Sequence, residues 1–163
     1  MKATDYARLY VGKKEKPGNS GFQDPEFEKD IKTLGEWAPP MSWCCCFQQM
    51  LFRKSLPEKS DELKKLFDPS AVQTYNNFKA AHYPILHKPV IGALVIWQRY
   101  KDGIAEWHGH AGIVTEVVSE KFFKTIEGNT NNDGSDNGDG VYEKVRSTDI
   151  KKTGLNVLGF VVI

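Results

Sequence analysis

The sequence predicts an α+β fold in which N-terminal helices pack on a C-terminal antiparallel sheet of about five strands. Two observations carry that expectation. Up to Ala81, apolar residues recur at helical spacing behind capping signals. From Pro89 onward the period falls to two, in segments rich in Val, Ile, Phe and Trp bounded by Gly, Asn and Asp clusters. A length of 163 residues suits one domain, so a single unit spanning 1–163 is expected.

Taken in order, Thr4 can cap a short helix through Tyr10, followed by a loop from Gly12 through Ser20. Asp24-Pro25-Glu26 is a strong helix start: a capping carboxylate, a proline at the first helical position, and acidic residues at the positive end of the helix dipole. Phe27, Ile31 and Leu34 then form one apolar stripe, and Gly35 suits a left-handed stop. Pro39-Pro40 forces an extended approach to a helix from Trp43 to Arg53 that Ser42 can cap, which puts Cys44 in its first turn. Further helices are predicted over Glu58 to Phe67 and Ala71 to Ala81. The strands are Ala93 to Arg99, His110 to Val118, Phe122 to Glu127, Val141 to Arg146 and Asn156 to Val162.

Composition excludes several function classes. With 22 basic and 21 acidic residues the net charge is +1, and no basic patch suggests nucleic acid. No apolar run approaches the roughly 20 residues of a membrane span. Met1 to Tyr10 lacks the apolar core of a secretory leader, so reaching an extracytoplasmic substrate would need another export route or a leader outside this sequence. The three cysteines are consecutive, Cys44 to Cys46, which defeats a disulfide framework and lacks the spaced pairs of a zinc site.

A thiol with a pKa near 8.5 is a poor nucleophile at neutral pH unless its anion is stabilised. The first turn of a helix supplies partial positive charge and unpaired N–H groups, and Cys44 sits there, whereas Cys45 and Cys46 point elsewhere around the helix. His110, opening its strand, can take the thiol proton, and Gly112 on the same strand face leaves room beside the ring. His108 shares that parity and competes for the role. The Ser119 to Lys121 turn folds the next strand back, bringing Glu127 and Asn129 near His110 as candidates to orient the imidazole. Among the tryptophans, Trp43 and Trp107 adjoin these candidates and suit cleft walls. Asp133, Ser135, Asn137 and Gly138 mimic the start of a calcium loop, but Lys144 replaces the required glutamate, so a polar hairpin loop is expected there.

Four segments together resemble the CHAP family, the cysteine and histidine-dependent amidohydrolases and peptidases related to NlpC-type hydrolases, a resemblance that implies a papain-like arrangement of the α+β fold. Pro17-Gly18-Asn19-Ser20-Gly21 is similar to its opening segment, and Ser42-Trp43-Cys44-Cys45-Cys46-Phe47 to its nucleophile motif. Gly109-His110-Ala111-Gly112-Ile113-Val114 matches the base-bearing strand, and Thr125 to Asn131 with Gly138 to Tyr142 resembles the third motif. The resemblance covers most of the chain. It departs at Cys45 and Cys46, where the family has small residues, and at the polar Leu56 to Lys65 insert.

The resemblance implies Cys44 as nucleophile, His110 as base in preference to His108, and Glu127 or Asn129 as the group that orients the ring. Trp43, Asn19 and Trp107 are expected to be substrate-binding residues, the two tryptophans because they adjoin the catalytic candidates. The implied substrate is peptidoglycan, cut at stem peptides or at the glycan-peptide amide, with no metal or organic cofactor. A monomer is expected, and an immunity or holin-type partner stays unidentified. Two other readings stay open: a wall-binding module without turnover, and a thiol protease or acyltransferase acting on proteins.

Overall fold

A computed structural model describes residues 1–130 and 138–163. Among the described residues, five α-helices precede a six-stranded sheet: α1 Ala3–Tyr10, α2 Pro25–Thr33, α3 Cys44–Ser55, α4 Ser60–Leu66 and α5 Ala71–Ala80, then β1 Ile85–Leu86, β2 Leu94–Lys101, β3 Ile104–Val117, β4 Phe122–Thr130, β5 Gly140–Ser147 and β6 Gly154–Val161. The strand order is β1-β6-β2-β3-β4-β5, and every pairing is antiparallel. The fold class is therefore α+β with helices first. The sheet has one strand more than the pattern predicts, because the two-residue β1 is too short to leave a periodic signature.

The start of α2 follows its sequence signals: Asp24 Oδ1 accepts from the N–H groups of Glu26 and Phe27, each at 2.9 Å. Three other boundaries differ. Thr4 lies inside α1 and is buried, while the Lys2 N–H donates back to Asp5 Oδ2 at 3.1 Å. Glu36, not Gly35, takes the left-handed conformation after α2, with φ of 54°. Gly35 is needed for a different reason, since a Cβ there would stand 2.4 Å from the Cys46 carbonyl oxygen of α3. The third difference is at α3, whose first residue is Cys44. Trp43 occupies the capping position without a side-chain bond, so Ser42 does not cap it.

Alternation on the strands sorts the core into two clusters. Leu94, Ile96, Ala111, Ile113, Ile126 and Val161 pack beneath the helices with Trp43, Phe47, Met50 and Leu51. Val95, Trp97, Val114, Phe123 and Phe160 make a second cluster. Phe123 on β4 and Phe160 on β6 are three strand steps apart, about 14 Å on a flat sheet. Their rings meet at 5.2 Å, so the sheet curls around this second cluster.

The buried helix α3 crosses β3 and β4, and Gln48 Nε2 donates to the Ile126 carbonyl at 3.2 Å. Gly128 permits the approach: a Cβ there would lie 2.6 Å from the Trp43 ring and 2.9 Å from Phe47 Cβ. Among the described residues, no helix is long and apolar enough to cross a membrane.

Candidate active site

Cys44, at the first position of α3, forms part of the wall of a cleft of about 770 Å³ shared with Met41, Ser42, Arg99, Trp107 and His108. Cys45 and Cys46 are buried and absent from that lining. Helical rotation turns Cys45 toward Thr74 of α5, and Cys46 Sγ back toward the Ser42 carbonyl at 4.0 Å. One thiol of the three therefore faces the cleft.

His110 does not open its strand, because β3 begins at Ile104. It sits in the interior of β3 opposite Trp97, against which its ring stacks at 5.7 Å. Its Nε2 lies 2.9 Å from Glu127 Oε2. That bond leaves Nδ1 as the nitrogen toward Cys44: it is buried and lacks a formed hydrogen bond among the described residues. The thiol and imidazole nevertheless act strongly on each other's charge. The adjacent Cys45 side chain and His110 hold the Cys44 thiol well below its ordinary value against the effect of burial. Burial pushes His110 down, but Cys44 and Glu127 outweigh it and raise the imidazole to about 9. The two shifts act in the direction of a thiolate facing an imidazolium. Burial pushes the Cys46 thiol up to about 12, so it stays protonated. His108 lines the cleft and lies 3.5 Å from Glu106.

Glu127 is fully buried yet held well below the usual carboxylate range, because Arg146 and then His110 outweigh the cost of burial. Arg146 on β5 donates through Nε to Oε1 at 2.7 Å and through its terminal nitrogen to Oε2 at 2.5 Å. Thr125 Oγ1 donates to Oε1 at 2.5 Å, and the Arg146 guanidinium also lies 5.2 Å over the Trp97 ring. The result is a buried row of alternating charge: Cys44, His110, Glu127, Arg146. Gly112 makes space for it, since a Cβ there would stand 2.9 Å from Glu127 Cγ.

The two orienting candidates separate. Alternation would put Glu127 and Asn129 on one face, but Asn129 is left-handed, with φ of 56°, at a register break between Glu127 and Thr130. Glu127 therefore meets His110, while Asn129 Nδ2 donates to Ser42 Oγ at 2.7 Å. Asn129 is not the partner of the ring.

The three expected substrate contacts also divide. Trp107 is 79% exposed on the cleft wall. Trp43 is a correction: it is 0% exposed, packed edge-on to Phe22 and Phe47, with its indole N–H on Glu15. Asn19 is another. Its Nδ2 donates to the Pro40 and Met41 carbonyls at 2.8 and 2.9 Å, so it braces the chain leading into α3 instead of lining the cleft. Of the calcium-like pattern, Asp133, Ser135 and Asn137 lie outside the described residues.

Sequence reasoning missed Arg146 and Thr125. Both share a strand face with Glu127 in the observed register, where Glu127 pairs with Tyr142 and Phe123 with Arg146. Alternation along the two predicted strands was the available signal.

A search of curated proteins returned no match. The family model described as the CHAP domain matches residues 36–129. The matched span holds Cys44, His110, Glu127 and Asn129, and it ends before Arg146. As that span is more than half of the chain, the protein belongs to the CHAP family, whose typical members are hydrolases with a peptidoglycan-related role.

Proposed function

We propose that the chain is a thiol-dependent peptidoglycan hydrolase, an endopeptidase or an N-acetylmuramoyl-L-alanine amidase, built as one papain-like catalytic unit over 1–163. The observation that carries this reading is the charge row with Cys44 at a helix start on the cleft and His110 braced by Glu127. Residues outside the matched span support the single unit, since α1 and β6 contribute Ala7 and Val161 to the core that holds Cys44.

The proton already rests on His110. Cys44 Sγ attacks the scissile carbonyl carbon, forming a C–S bond while the C=O electron pair moves to oxygen. The backbone N–H of Cys44 faces the developing oxyanion, as at other helix starts. Collapse breaks the C–N bond, and the imidazolium protonates the departing amine. Water then attacks the thioester, giving its proton to His110, and the acid leaves as Cys44 returns to thiolate. Glu127 positions the ring and Trp107 contacts substrate. No step draws on a cofactor.

One observation favours a wall-binding module without turnover: Cys44 is only 3% exposed and His110 is 0% exposed. Digestion of purified peptidoglycan, with fragments identified by mass and newly freed amino groups counted, separates the two. Wild type is expected to release fragments and Cys44→Ala to release none while melting at the wild-type temperature. Full digestion by Cys44→Ala refutes the assignment, and an inert wild type leaves the binding reading.

A further inference from the structure

We propose that the Ser42 hydroxyl is a hydrogen-bond donor to the reaction's oxyanion, aimed into the cleft by Asn129. This inference rests on the hydrolytic reading above and adds a catalytic group to it.

Ser42 is two residues ahead of Cys44, exposed, and on the same cleft wall. A serine in that position ordinarily caps the helix that follows, but here its hydroxyl makes no bond to α3. Among the described residues its hydroxyl has one hydrogen bond, and that comes from behind: Asn129, 1% exposed, donates Nδ2 to Ser42 Oγ at 2.7 Å. A hydroxyl has one proton. Because the amide N–H occupies an oxygen lone pair, that proton is left to donate, and it has no acceptor among the described residues. Asn129 lies on the buried side, so the free O–H direction is the open one, toward the cleft.

The segment is also held in place. Asn19 donates to the Pro40 and Met41 carbonyls, and Trp37 Nε1 donates to the Met41 carbonyl at 2.8 Å. Three side chains from three parts of the chain thus fix residues 40–42, which belong to neither helix nor strand. Asn129 adopts a left-handed backbone to take part. Such bracing is wasted on an exposed serine that only meets water. It suits a donor that must be in place before charge develops, because a preorganised dipole needs no reorganisation when the C=O electron pair moves to oxygen. The Cys44 N–H and the Ser42 O–H would approach that oxygen from the two sides of the residue 42–44 turn.

The probe is solubilised muropeptide from purified wall, with kcat and KM measured separately, beside the rate at which iodoacetamide alkylates Cys44. Alkylation is displacement at a saturated carbon and forms no oxyanion. For Ser42→Ala, kcat should fall about 10- to 100-fold, at or below the usual cost of a lost oxyanion donor because water can partly replace an exposed hydroxyl. KM and the alkylation rate should stay within about twofold, the signature of an interaction made only in the transition state. Ser42→Thr keeps the hydroxyl and should restore most of the rate. Asn129→Asp reverses the polarity of the contact: a carboxylate accepts the Ser42 proton and turns it from the cleft. It should lose as much as Ser42→Ala, and the double variant should lose no more than either. Wild-type kcat in Ser42→Ala or in Asn129→Asp overturns the oxyanion role alone. So does alkylation slowed in step with turnover, which would make Ser42 a support for the thiolate. A wild type that alkylates normally but cleaves no wall overturns the hydrolytic reading, and the oxyanion role with it.

Discussion

Glu127 is a buried carboxylate whose charge is balanced by His110 on one side and Arg146 on the other. Arg146→Met keeps most of the side-chain volume and removes one of the two cations. The carboxylate then shares a single imidazolium with the Cys44 thiolate, leaving two buried anions against one cation. Breaking a buried pair by removing one partner costs about 3 to 5 kcal/mol, because the remaining charge is stranded. The Arg146 side chain is 17% exposed, so part of its charge is already solvated and the lower end, about 3 kcal/mol, applies. For a chain of this size each kcal/mol moves the melting temperature by about 2–4 °C, so the expected fall is about 6–12 °C. Calorimetry at pH 7 reads it directly.

The sharper form of this prediction is a change of sign. In the native protein, Glu127→Gln deprives Arg146 and His110 of their anion and should lower the melting temperature. In the Arg146→Met background the same change removes the stranded charge and should raise it, so the double variant melts above Arg146→Met. Simple additivity, with the double variant melting lowest, would refute the stranded-charge account. A fall of less than about 2 °C in Arg146→Met would show that the guanidinium contributes little.

Two further outcomes follow from the geometry. His110 is raised to about 9, so an imidazolium serving as the proposed proton donor to the leaving amine would persist from neutral pH up to that value and be lost above it; the alkaline limb of kcat/KM should fall near pH 9. Glu127→Gln removes a group that raises the ring, so the limb should move to lower pH, and an unmoved limb would sink the assignment of His110 as the proton donor. Gly128→Ala puts a methyl 2.6 Å from the Trp43 ring and 2.9 Å from Phe47, with Trp43 fixed by its bond to Glu15. Overpacking of about 1–3 kcal/mol should appear in urea unfolding, and an unchanged midpoint would mean that α3 can shift freely on β4.

Much of the framework was legible because it rests on local chemistry. Asp24-Pro25 starts α2 with groups that satisfy the first backbone donors, whatever the tertiary context. The Ser119 to Lys121 turn joins β3 to β4 antiparallel, which was enough to expect Glu127 and Asn129 near His110 but not to say that Glu127 alone reaches the ring. The errors fall where packing overrides a local preference. Ser42 has the chemistry of a cap, but a buried Asn129 competes for its oxygen. Gly35 looks like a helix stop and instead makes room for the Cys46 carbonyl. Trp43 adjoins Cys44 in sequence, yet the residue before a first-turn cysteine turns inward when that helix is buried through most of its length. Period-two patterning says which residues share a face; it carries no information on the curl that brings Phe123 to Phe160.

Arg146 was missed for a reason that sequence reading can correct. A lone arginine on a predicted strand is ordinarily a solvated residue, and the loop between β4 and β5 leaves their register open. The expectation of Glu127 as an orienting group nevertheless implied more than was drawn from it. A carboxylate that steadies a catalytic imidazole away from water must be ionised and buried at once, and the one cation that it orients also faces a thiolate. Charge balance then requires a second cation within reach. Residues of β5 that share the face of Glu127 come down to Tyr142, Lys144 and Arg146. Of these, arginine alone offers a planar fork that fills both carboxylate oxygens while stacking on an aromatic ring, as Arg146 does on Trp97. A third residue posited to orient a buried histidine should therefore be read together with the cation that lets it stay charged.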